Sequence, residues 1–164
     1  MNYYDLLIEK YKKNGIIIDT NLLLLLFVGR YNSELIPNYK RTESYNVDDY
    51  ILLERLLSFF SKFVTLPNVL SEVSNFTNFE DKRLKAFYET VQTEIAKLQE
   101  TYLESSIAAS DGSFKRLGLT DAAIVSIARN NRLVLTADLP LSVYLESHQM
   151  DVINFNHIRG SSWF

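Results

Sequence analysis

Ile16-Ile17-Ile18-Asp19-Thr20-Asn21 is the stretch that decides the fold. Three consecutive β-branched residues suit a short strand buried on both faces, because branching at Cβ packs well on a pleated surface and two covered faces need no polar alternation. Asp19, Thr20 and Asn21 then end the run. All three are good helix caps, and any of them can open the helix that residues 22–28, all Leu, Phe and Val, would fill. Gly29 is the expected end of that helix. A buried strand passing directly into a helix is the opening half of a parallel βαβ unit.

Outward from this unit the same alternation repeats. Upstream, Tyr4, Leu7, Ile8 and Tyr11 recur at helical spacing, so 3–12 reads as a helix ended by Lys12-Lys13-Asn14-Gly15. Downstream, residues 30–46 are polar, contain Pro37, and read as a loop with a short helical piece. Asp48 and Asp49 can cap a helix over 49–61. Phe63-Val64-Thr65-Leu66 reads as a second strand, and Pro67 suits the start of a helix near 68–76. The stripe Leu84, Phe87, Tyr88, Val91, Ile95, Leu98 and Tyr102 predicts one long helix over 80–104. Residues 105–119 are broken by Asp111-Gly112 and Gly118. Thr120 is the expected cap of a helix running to Ala128, with Asp121 in its first turn. Residues 132–136 read as a strand, 139–148 as a helix with Pro140 in its first turn, and Val152-Ile153 as a last strand. The tail from Asn156 to Phe164 carries no clear pattern. Helices alternating with short apolar strands predict one three-layer α/β/α domain with a short, mainly parallel sheet.

Composition narrows the classes of function. The chain has 164 residues, 47% of them hydrophobic, which is enough to build a core and too apolar for a disordered tail. The net charge of −3 counts against a protein that merely coats nucleic acid, since such proteins are normally basic. It is compatible with a nuclease whose cleft carboxylates are offset by bound cations. The lack of cysteine excludes disulfides and thiolate metal sites. The opening residues lack the basic head and apolar stretch of a secretory signal, so a cytoplasmic protein is expected. The apolar run at 22–28 is too short to span a bilayer.

Ligands of an open parallel sheet bind beyond the carboxyl ends of its strands. Asp19 follows the first strand directly, and Asp138 follows the strand at 132–136 after one residue, so both should project from the same edge. Asp121 opens the helix before that strand, and a right-handed crossover can bring it to the same edge. Glu72, on the helix after the second strand, can lean in from the side. Converging carboxylates repel and raise one another's pKa values unless a cation joins them. A hard ion such as Mg2+ or Mn2+ accepts such oxygen ligands. Zinc is disfavoured, because His148 and His157 lie outside any ligand motif and no cysteine is present. A divalent ion so held supports attack of water on a phosphodiester, and no nucleophile elbow or Cys–His set offers another route. Each acid also has a plain structural role open to it. Asp19 and Asp138 can be helix caps, Asp121 can serve the helix dipole, and Glu72 can face solvent.

Taken together, these stretches resemble the PIN-domain nucleases, most of all the VapC-type toxin ribonucleases. Ile16-Ile17-Ile18-Asp19-Thr20-Asn21 matches the family's opening strand and Asp. Leu70-Ser71-Glu72-Val73 resembles its second acidic motif. Gly118-Leu119-Thr120-Asp121-Ala122-Ala123-Ile124 resembles the third, and Leu133-Val134-Leu135-Thr136-Ala137-Asp138 the fourth. The resemblance covers roughly 14–155. The interval from Asp19 to Glu72 is longer than in the compact toxins, with the excess between about 30 and 60, and the helix at 3–12 is additional. Glu43, Asp48 and Asp49 compete with Glu72 for its place, although no strand precedes them.

The resemblance implies a metal-dependent endoribonuclease in which Asp19, Asp121 and Asp138 are the main ligands of Mg2+ or Mn2+, with Glu72 helping directly or through water. Thr136 resembles the family's small hydroxyl residue two places before the last Asp and would orient Asp138 or a bound water, although strand propensity also accounts for it. Thr20 and Asn21 have a similar claim beside Asp19. RNA is the implied substrate, and a homodimer or a small antitoxin covering the active site are the implied partners. Arg30, Lys115 and Arg116 are candidate phosphate contacts, although exposed cations are ordinarily solvated surface. Two other readings stand beside this one: a PIN-like binding or scaffold domain that does not cut, and a metal-dependent DNA nuclease or phosphatase.

Overall fold

The computed structural model of the chain describes residues 1–160. The elements run α1 (Tyr3–Tyr11), β1 (Ile16–Ile18), α2 (Thr20–Asn32), a 3-10 segment (Ser33–Asn38), α3 (Val47–Leu57), β2 (Phe63–Thr65), α4 (Pro67–Asn75), α5 (Asp81–Ile95) and β3 (Gln99–Glu100). They continue with α6 (Ser105–Ser110), α7 (Phe114–Leu117), α8 (Leu119–Ala128), β4 (Leu133–Thr136), α9 (Leu139–Ser147), β5 (Val152–Asn154) and α10 (Phe155–Ile158). The strands form one sheet in the order β3-β2-β1-β4-β5, and every pairing is parallel. Helices cover both faces, giving the expected three-layer α/β/α architecture.

Winding proceeds from β1 outward through β2 to β3. It then returns to the other side of β1 with β4 and continues to β5. The direction therefore reverses between β1 and β4, which is where open α/β sheets form their ligand crevice. Ile18 pairs with Leu135, so Asp19 and Thr136 leave the two strands at the same level.

The core follows from the apolar runs. Ile16, Ile17 and Ile18 are fully buried, and so are residues 22–28 around every face of α2. A helix apolar on all sides must be enclosed, and α2 is enclosed by the sheet, the 3-10 segment, α3, α4 and α5. Among the described residues no helix is long and apolar enough to cross a membrane.

Four local expectations give way to tertiary demands. Helix α2 passes through Gly29 and ends at Asn32. The Tyr50 ring lies where a Cβ on residue 29 would stand, so the missing side chain is a packing requirement and not a stop signal. The helix α3 is capped by Asn46, not by Asp48 or Asp49. Asn46 accepts from the Asp49 amide, and the Asp49 carboxylate accepts from the Asn46 amide. In α8 the N-cap position is taken by Gly118, and Thr120 lies inside the first turn. Finally, α5 stops at Ile95, and Gln99–Glu100 pair with Val64 and Thr65 as an edge strand. Leu98 and Tyr102 therefore leave the helical stripe, and Tyr102 is 74% exposed.

The end of the described chain returns to α3. Arg159 donates to both carboxylate oxygens of Asp49, at 3.0 and 2.9 Å, and to the Ser44 carbonyl at 2.7 Å.

Candidate active site

The chain must leave β1 where the sheet ends, and Asp19 makes that exit. Its amide still donates to the Leu135 carbonyl of β4 at 3.0 Å. Its Oδ1 accepts from the Thr20 amide at 2.7 Å and so caps α2. Its Oδ2 accepts from the Thr136 hydroxyl at 2.6 Å. Asp19 is only 5% exposed and Thr136 is fully buried.

Thr136 has a second task. Its oxygen accepts from the Asp138 amide at 2.9 Å, fixing the turn after β4. Asp138 Oδ1 then accepts from the Leu141 amide at 2.9 Å and caps α9. On the opposite wall, Glu72 of α4 accepts from the Thr20 hydroxyl at 3.0 Å through Oε2. Asp121 stands in the first turn of α8, which Gly118 opens with φ 87° and ψ −179°. Among the described residues, no hydrogen bond or ion pair reaches the Asp121 carboxylate.

These side chains line one cleft of about 490 Å3, with Thr20, Asn21, Arg41, Phe76, residues 117–120 and the four acids Asp19, Glu72, Asp121 and Asp138 in its wall. The structural and site roles open to the acids thus coexist. Asp19 and Asp138 cap helices with one oxygen each while bordering the same cleft.

Electrostatics follow from that crowding. Burial pushes the Asp121 carboxyl up to about 7, and the charges on Asp19, Asp138 and Glu72 add to the effect. Burial also raises the Asp19 carboxyl. The Thr136 hydroxyl and the Thr20 amide oppose that rise, while Asp138 and Glu72 reinforce it. Arg41 is the one cationic side chain in the wall among the described residues.

Does this set suit a divalent cation? The donors are all hard oxygens, and the acids are short of positive charge, which is the chemistry Mg2+ and Mn2+ accept. The arrangement is not drawn in, however. Among the described residues no three His, Cys, Asp or Glu side chains are gathered as a ready-made metal cage. Both oxygens of Asp19 are already engaged by Thr20 and Thr136. The free valences lie with Asp121, Oε1 of Glu72 and Oδ2 of Asp138. Donor type therefore fits, while the spacing is that of four acids standing apart.

The other candidate residues fall elsewhere. Arg30 lies eleven residues along α2 from Asp19, about 16 Å at the helical rise. There it pairs with Glu54 and Glu94, away from the cleft. Lys115 and Arg116 are exposed on α7, just before the wall begins at Leu117. Glu43 and Asp48 are exposed and outside the wall, and Asp49 is committed to Arg159 and Asn46. Arg41 and Phe76 are in the wall without having been singled out by sequence. The Arg41 guanidinium lies 4.3 Å over the Phe76 ring. Arg41 belongs to a polar stretch with no periodicity, so no local signal could have found it.

No family model matches the chain, and a search of curated proteins finds no similar one. The five-stranded parallel sheet with helices on both faces is consistent with a PIN-like fold at the level of architecture.

Proposed function

We propose that the protein is a divalent-metal-dependent phosphodiesterase of the PIN-like type, acting on RNA. The observation that supports this most is positional. Asp19 and Asp138 leave β1 and β4 at the point where the sheet winding reverses, and Glu72 and Asp121 face the same cleft. Asp121, Asp138 and Glu72, with Asp19 behind them, would hold Mg2+ or Mn2+. Such an ion would supply a more acidic water and offset charge on the phosphoryl oxygens.

The chain's own residues do the positioning. Thr136 fixes the Asp19 rotamer and the backbone that carries Asp138. Thr20 occupies one oxygen of Glu72 and leaves the other for the cleft. Burial and the neighbouring acids favour a proton on Asp121, and a bound cation would favour its anion instead. Arg41 supplies the guanidinium that a phosphate oxygen would meet.

A second reading is favoured by a specific observation. The acids form no ready-made cage, and both Asp19 oxygens are satisfied within the fold. A PIN-like scaffold that binds partners without cutting would look the same. One experiment separates the two: melting with and without Mn2+ or Mg2+, followed by assays on RNA, single-stranded DNA and a small phosphodiester. A metal-dependent rise in Tm with RNA cleavage, both lost in Asp121→Asn, supports the nuclease. An unchanged Tm and no cleavage of any substrate supports the scaffold. Cleavage of DNA or the small ester but not RNA would reassign the substrate.

A further inference from the structure

The acidic cleft does not end at Arg41 and Phe76. A second depression of about 460 Å3 adjoins it, with Tyr39, Lys40, Asn78, Phe79, Glu80 and Arg83 in its wall. The two share consecutive stretches of chain. Arg41 faces the cleft and Lys40 the depression; Phe76 faces the cleft and Asn78 with Phe79 the depression. The ridge between them is built firmly. The Tyr39 hydroxyl donates to the Phe76 carbonyl at 2.5 Å and accepts from the Asn78 amide at 3.2 Å. The Tyr39 ring stacks on Phe79 with centroids 4.5 Å apart.

The charges here are unusual for this protein. Lys40, Arg41 and Arg83 are exposed, and none has a carboxylate within ion-pair distance among the described residues. Among the described residues Glu80 is the one acid in the depression. Elsewhere Arg30, Lys10, Lys97, Arg129 and Arg159 all pair with acids. An acidic chain that leaves three neighbouring cations unpaired beside half-buried aromatic rings has the two ingredients of a single-strand track, backbone cations and π surfaces.

We propose that a single-stranded polynucleotide crosses from the acidic cleft over the Arg41–Phe76 ledge and is held beyond it by Lys40 and Arg83, with a base packed against Phe79. The inference rests on the phosphodiester reading of the cleft. Arg41 contacts the phosphate nearest the acids, and Lys40 and Arg83 contact phosphates further along. A duplex is disfavoured, because the ridge and the aromatic wall suit bases that are already unstacked. An acidic peptide would find the same cations but would bring its carboxylates to the four acids.

The test is binding of a fluorescein-labelled 12-nucleotide single-stranded RNA to the full chain in EDTA, read by anisotropy across a salt series. Lys40→Ala/Arg83→Ala should weaken binding about tenfold and reduce the slope of log K against log salt by about 1.4, the value for two lost single-strand phosphate contacts. Arg41→Lys, which keeps charge but loses the planar stack on Phe76, should also weaken it. Lys40→Gln/Arg83→Gln repeats the measurement if the alanine pair melts early. The proposal is overturned if the double variants bind as wild type, or if Lys115→Ala/Arg116→Ala abolishes binding instead. It is also overturned if duplex RNA or polyglutamate competes as well as the single strand. Metal-dependent hydrolysis of a small phosphodiester by the wild-type protein reads the acids alone. The track can therefore fail while the catalytic reading stands, and the reverse.

Discussion

Thr136 and Asp19 stand at the carboxyl ends of two neighbouring parallel strands and are joined by a 2.6 Å hydrogen bond from the threonine hydroxyl to Oδ2. The same hydroxyl oxygen accepts from the Asp138 amide. One buried side chain therefore sets the position of two of the four acids.

Thr136→Val keeps the branched shape but leaves Asp19 Oδ2 and the Asp138 amide without their partner. Leaving a buried polar group unsatisfied costs roughly 1–3 kcal/mol, and the Asp138 amide is only part-buried and costs less, so a loss of about 2–4 kcal/mol is expected in urea unfolding. Thr136→Ser should recover most of it. If valine unfolds at the wild-type midpoint, the hydroxyl has no such role.

Asp121 makes the metal-free protein sensitive to pH. Its folded pKa of about 7 lies above its unfolded value near 3.8. The folded state thus holds this proton more tightly than the unfolded chain. The associated stability is fully present below about pH 4 and is lost as pH rises to about 7. With screening, the loss amounts to about 2 kcal/mol. Asp121→Asn should be the more stable protein at pH 7.5 in EDTA and should lose that advantage at pH 4. Thermal melts at both pH values check this, and equal differences at both would contradict it.

Gly118 adopts φ 87° and ψ −179°, a backbone region open to glycine and strained for any L side chain. Among the described residues nothing lies within 4 Å of a Cβ built there, so a substitution meets backbone strain only. Gly118→Ala should cost about 1–3 kcal/mol and shift the first turn of α8 that carries Asp121. The Mn2+-induced rise in Tm should shrink more than that of a variant equally destabilised elsewhere. A full metal response in Gly118→Ala would count against the role given to this turn.

Gly29 faces a different constraint, since its helical backbone suits any residue. The Tyr50 ring fills the place of a Cβ. Gly29→Ala should destabilise by roughly 1–3 kcal/mol through overpacking, despite alanine's better helix preference. Tyr50→Leu in the same chain should relieve part of the cost, giving a non-additive double-mutant cycle. Simple additivity would show that the ring moves aside freely.

What could be read from sequence was what local chemistry decides. The β-branched run at 16–18, the cap residue Asp19 and the apolar body of α2 each carry their own signal. So does Asp138 two residues beyond β4. The edge strand β3 carries none, because Gln99 and Glu100 are exposed and polar and pair only because β2 has a free edge. Arg30 shows the converse error. It is near Asp19 along the chain, but a straight helix carries it far from the cleft. Arg41 is distant in sequence from every acid in the wall, and only the folding of the stretch after α2 brings it there.

The bond between Arg159 and Asp49 spans 110 positions of the chain and also grips the carbonyl of Ser44. It acts as a clasp, tying the last described turn to the segment that leads back to Arg41. Thr42, fully buried and bonded to the Ile36 carbonyl at 2.8 Å, pins that segment from the other side. The cation bordering the acids is thus suspended between a local anchor and a remote one. Arg159 therefore restrains the stretch that carries Arg41 while standing outside the cleft wall itself.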